Sequence, residues 1–208
     1  PVKRVLLSAC LAATAALGQY KLEKAGAPPA ELGSAIREAL ASDGARVVAP
    51  DGKPFCEIWL RAKAPTGPKI TEENVSFTNL TPGALLGVLR YPGQGADRRG
   101  QVIKPGLYTL RFALYPVDGA HQGVSPQRDF VLLTPAAKDT DLNATPGYDE
   151  LVKMSNQASG TAHPAILSLW KPEAASGGAL KQEGEDWVLY STLGDLPIAI
   201  LVVGAYQG

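Results

Sequence analysis

Turn residues punctuate this chain so evenly that long helices have little room. Twenty-two Gly and 17 Pro are spread over 208 residues, and each breaks or bends regular structure for its own steric reason. Between them the apolar pattern mostly has period two. Ala45 to Ala49 and Phe55 to Lys63 alternate like strands and are joined by Pro50-Asp51-Gly52-Lys53, in which Pro presets φ and Gly accepts a positive one. Further strands are expected over Ala84 to Tyr91, Leu107 to Tyr115, Asp129 to Thr134, Ala165 to Trp170, Asp186 to Thr192 and Pro197 to Gly204, with a looser stretch around Val75 to Leu80. The segment Pro197 to Gly204 is apolar on both faces and therefore belongs inside a sheet, away from its edges.

Two helices interrupt this pattern. Leu32, Ala35, Ile36, Ala39 and Leu40 fall on one helical face, which Asp43-Gly44 ends; a second helix runs from about Tyr148 to Gln157, with Leu151 and Met154 as its apolar contacts. Short strands with two peripheral helices, and no strict α/β alternation, predict an all-β fold: an antiparallel β-sandwich of the immunoglobulin-like or prealbumin-like kind. Pro105-Gly106-Leu107-Tyr108-Thr109-Leu110-Arg111 is similar to a strand entry recurrent in secreted sandwiches of those two kinds. That resemblance implies fold class and carries no activity.

The first 18 residues read differently. Lys3 and Arg4 precede an uncharged run from Val5 to Gly18 with small residues at Ala16 and Gly18, the pattern of a signal peptide cleaved after Gly18. The expected organisation is a signal over 1–18 and a single domain over 19–208, periplasmic or secreted, with no transmembrane segment after the signal. Leu7-Ser8-Ala9-Cys10 resembles a lipobox, which makes a lipoprotein anchored at Cys10 the alternative, although Arg4 leaves a short apolar run before it. Twenty basic residues balance 20 acidic ones, so the chain lacks the basic excess of a nucleic-acid partner. Past the signal only Cys56 remains, on the core face of its strand, which fits an inert buried thiol.

Three constellations could carry chemistry. On the strand from Phe55, alternation puts Cys56, Ile58 and Leu60 on one face and Glu57, Trp59 and Arg61 on the other. A flat ring between a carboxylate and a guanidinium suits a sugar, and Trp170 and Trp187 are candidate partners, each at a strand end. If the first helix covers this face, Trp59 instead packs beneath it.

The stretch from Asp139 to Glu150 resembles an EF-hand-type calcium loop, with Asp139, Asp141, Asn143, the carbonyl of Thr145 and Glu150 at ligand positions. It departs from that pattern at Ala144, where the sharp turn wants Gly, and at Pro146. Finally, His121 and His163, with Asp118 and Asp129 near the first, could form a transition-metal site, although no zinc-type His spacing is present. No G-x-S-x-G elbow occurs. The expected function is therefore an exported, non-catalytic binding or structural module whose ligand is a carbohydrate or protein. The alternatives are a metal-assisted hydrolase on His121, His163 and the nearby Asp residues, and a calcium-stabilised interaction or assembly protein.

Overall fold

The computed structural model describes residues 19–117, 127–173 and 177–204. The predicted signal over 1–18 with its Cys10, and the candidate ligands Asp118 and His121, lie outside them.

The all-β expectation holds. Ten strands form one antiparallel sheet, and two short helices lie outside it. In chain order they are β1 (Lys21–Gly26), α1 (Ser34–Ala39), β2 (Gly44–Val48), β3 (Pro54–Leu60), β4 (Leu85–Tyr91), β5 (Gly95–Ala96), β6 (Val102–Ile103), β7 (Gly106–Leu114), β8 (Asp129–Pro135), α2 (Tyr148–Ser159), β9 (Ile166–Trp170), β10 (Ala179–Glu183), β11 (Asp186–Leu193) and β12 (Leu196–Val203). The sheet order is β1-β2-β3-β4-β7-β8-β9-β12-β11-β10, with β5 and β6 as a separate small hairpin. Strand β12 lies between β9 and β11, the interior place its doubly apolar sequence requires.

The large sheet curls on itself like a barrel that stops just short of closing. Its edge strands β1 and β10 approach each other, and the ring of Tyr20 meets that of Trp187 at 5.5 Å across the seam. The ladder is continuous from β1 to β10, so no break in hydrogen bonding divides it into two sheets. The concave side holds the main core. Ile58, Leu89, Leu110, Leu133, Leu167 and Ile200 belong to one buried cluster there, drawn from strands all around the curl. Cross-strand pairing keeps such residues on one face, as in Ile58↔Leu89 and Leu110↔Leu133.

The helices cover parts of the convex side. Ile36 and Leu40 at α1, with Leu32, pack on Trp59, Leu85 and Val88. Leu151 of α2 packs on Ala113, Phe130, Leu132 and Ile166, and Gly160 ends this helix in the left-handed conformation that costs glycine least.

Between these two patches the convex face of β7 and β8 buries charge. Arg111, with no solvent exposure, spends all five guanidinium donors. Its Nε donates to Asp139 Oδ2 at 2.8 Å, and one Nη donates to Asp139 Oδ1 and to the Asp141 carbonyl, both at 2.6 Å. The other Nη donates to the carbonyls of Gly83 and Ala144. Thr109 and Thr134 add their hydroxyls to Asp139. Burial pushes the Asp139 carboxyl up, but the hydrogen bonds and the charge of Arg111 outweigh it and hold the group below the ordinary carboxylate value.

Breaking a buried pair by removing one partner leaves an uncompensated charge, so Asp139→Ala should cost about 3–5 kcal/mol in urea unfolding. The double change Arg111→Met with Asp139→Leu should cost less than that single change. Because Asp139 is more acidic folded than unfolded, its contribution is complete above the unfolded value of about 3.9 and is lost as pH falls through its lower folded value. The wild-type acid limb should therefore be steeper than that of the double variant, as followed by circular dichroism.

Candidate functional site

Alternation places Trp59, Glu57 and Arg61 on the convex face of β3, but that face is covered there. Trp59 is 2% exposed. Its indole Nε1 donates to the Gly26 carbonyl at 2.8 Å, and α1 lies over the ring. A Cβ on Gly44 would run into the indole, which is why the neighbouring strand passes so close. The Trp59 ring therefore offers no open platform, a correction to the expectation of a sugar-binding strand face. Glu57 is buried and accepts from Arg46 Nε at 2.8 Å, its cross-strand partner. Arg61 is half-buried, with Nη1 3.5 Å from the Leu85 carbonyl.

The stretch from Asp139 to Glu150 is organised around Arg111. Both oxygens of Asp139 are held by Arg111, with Thr109 and Thr134 on one of them. Asp141 turns back to accept the Asn143 backbone N–H at 2.8 Å, and its own carbonyl serves Arg111. Thr145 is exposed before α2, and Glu150 stands exposed in the first helical turn, where a negative charge favours the helix dipole. The carboxylate at the first calcium position is thus committed to a guanidinium, for the simple reason that a buried cation sits beside it.

Asp129 is fully buried and pins the looser stretch that precedes β4, accepting the backbone N–H groups of Ser76 and Phe77 at 2.8 and 2.9 Å. Burial raises its pKa in spite of these bonds. His163 is exposed, and its carbonyl takes hydrogen bonds from Gln101 and Ser159. Among the described residues no three His, Cys, Asp or Glu side chains gather as a metal-binding group. Cys56 is buried, and burial pushes its thiol far above the ordinary value.

Of the two candidate partner rings, Trp187 packs against Tyr20 at the seam, whereas Trp170 lies in a different setting. Helix α2 packs on Ile166 at the start of β9, and Trp170 stands at the other end of that strand. Strand pairing sets Trp170 beside Ala199 and Ala199 beside Tyr190, so two rings flank a small residue across three strands. A recess of about 290 Å³ opens here. Val188 and Leu201 form its apolar floor, and Trp170, Ser168, Glu183 and Asp186 line it. Arg98 reaches over from the β5–β6 connection to pair with Asp186 at 3.3 Å. Lys181 lies 4.8 Å over the Tyr190 ring, whose hydroxyl donates to Glu183.

Sequence reasoning missed most of this recess. The signal was present in β9, where Ser168 and Trp170 alternate with the core residues Leu167 and Leu169. What hid it was β10, whose approach through Ala174 to Ala179 reads as loop, and Arg98, which arrives from a distant hairpin. No family model, curated protein or solved structure matches the chain.

The three tryptophans provide a test of this arrangement. In acrylamide quenching, Trp59→Phe should remove a blue-shifted, poorly quenched component, whereas Trp170→Phe should remove an accessible one. Equal quenching of the two variants would contradict it.

Proposed function

We propose that this protein is an exported, non-catalytic binding module that holds a carbohydrate in the Trp170 recess. The half-buried Trp170 ring beside hydroxyl, carboxylate and guanidinium groups supports the reading most directly. A sugar ring presents C–H groups to an aromatic face and hydroxyls around its edge, and this recess has groups for both. Ser168, Glu183, Asp186 and Arg98 are the edge-binding groups, while Val188 and Leu201 lie below. The recess gives a ligand access that the helix-covered parts of the convex face deny. We read the curled sheet itself as a flattened, sandwich-like barrel, a rigid support on which strand-borne side chains stay in fixed register. Export rests on the tripartite pattern of residues 1–18.

Titration with soluble oligosaccharides of the cellulose, xylan and chitin types, followed by intrinsic fluorescence, tests the reading. Binding should change the Trp170 signal. Trp170→Ala should weaken affinity by about 2 kcal/mol or more, as loss of an aromatic anchor does, while Trp59→Phe should retain binding. Absence of a response to every oligosaccharide would refute the carbohydrate assignment.

A further inference from the structure

The seam between β1 and β10 is shut at one end and open at the other. At the shut end Trp187, Tyr20, Phe55 and Tyr91 form a chain of ring contacts, each with centroids 5.5 to 5.7 Å apart. At the open end β1 finishes, β2 begins and β10 begins, and a recess of about 480 Å³ lies between them. It is larger than the recess at Trp170 and shares no lining residue with it.

This recess leads inward. Ile58, Leu60 and Leu189 on its floor belong to the main core, and Leu22 and Ala45 pack against that core. Gly44 and Gly178 add no side chain to its walls. On β11 alternation sets Ser191 on the concave face between Leu189 and Leu193, a hydroxyl where its neighbours supply apolar groups. The exposed Thr192 adds a second hydroxyl at the rim. Lys24 Nζ and Asp43 Oδ2 pair there at 3.3 Å, and Asp43 Oδ1 accepts the Gly26 N–H at 2.8 Å. Glu23 is exposed beside them. An anionic group at this rim meets two carboxylates against one ammonium, and a cationic group meets Lys24 while Asp43 already has its partners. A hydroxyl, which donates and accepts without charge, suits the rim better than either.

We infer that the open end of the seam is a second binding site, for a small uncharged amphiphile whose hydrocarbon body rests on Ile58, Leu60 and Leu189 and whose hydroxyl head meets Ser191 and Thr192. Small-molecule sites favour the mouths of barrels, and the volume falls within their usual range. Removal of the hydrocarbon from water drives the binding. Entry through the seam breaks no strand pairing, because β1 and β10 are not paired with each other. The site does not rest on the carbohydrate reading.

Titration of the whole chain with N-phenyl-1-naphthylamine, an uncharged apolar fluorophore, tests this. Its emission should rise saturably, and 1-octanol should displace it at least tenfold more effectively than octanoate or octylammonium. Ser191→Phe, which fills the recess, should lose binding. Val117→Ser, which removes the most exposed large apolar side chain among the described residues, should keep it. If Ser191→Phe does not fold, the wild-type methyl resonances of Leu60 and Leu189 should shift saturably with 1-octanol, while those of Leu132, in the cluster under α2, stay in place. A flat titration, equal displacement by either charged amphiphile, full binding by a folded Ser191→Phe variant, or unmoved Leu60 and Leu189 methyl signals would overturn the assignment.

Discussion

The buried guanidinium of Arg111 sets the conditions for the middle of the sheet. A cation with no access to water is tolerable only if every donor finds an oxygen, and its oxygens come from separate parts of the chain. Gly83 lies at the approach to β4, and Asp139, Asp141 and Ala144 lie in the connection from β8 to α2. Satisfying one side chain therefore fixes the path of that connection. It also directs α2 toward the part of β8 where Leu151 finds Phe130 and Leu132. Thr109 and Thr134, paired across β7 and β8, complete the coordination of the carboxylate. The polar centre and the helix position are thus consequences of one residue.

Coverage of the convex surface then divides the molecule by role. Where α1 and α2 lie on the sheet, its outward residues are packed or paired, and even Trp59 becomes core. Around Trp170, across β9 to β10, outward aromatic, charged and apolar residues surround a recess. The same sheet supplies core packing on its concave side and the recess proposed for recognition on part of its convex side. Burial by neighbours, more than residue type, decides which tryptophan could meet a ligand.

Much of the strand layout was legible because a half-buried strand must alternate. β2, β3, β4, β7, β8, β9 and β11 fall on segments read as strands in this way, and β12 on one read as apolar on both faces. β1 was not, since Lys21, Glu23 and Lys24 on an exposed edge look like a polar lead-in. β10 was hidden in the same way by Lys181, Gln182 and Glu183. Edge strands carry few core residues, so periodicity has little to report. The acidic stretch after Asp139 resembled a cation loop because sequence displays its carboxylates but not the distant arginine that claims the first of them. The partners in the Trp170 recess were invisible for a related reason, since Arg98 and Asp186 meet only through tertiary structure.

The unclosed seam has a consequence for how the protein resists association with other chains. Nine successive antiparallel pairings leave β1 and β10 running in opposite directions. A foreign strand entering the gap would be antiparallel to one edge and parallel to the other, so it could not repeat the sheet's own ladder on both sides. Lys21, Glu23 and Lys24 on one edge and Lys181 and Glu183 on the other add charges that an intruder would have to desolvate. The sheet thus keeps two unpaired edges while turning each toward the other, which guards against edge-to-edge aggregation without requiring complete closure.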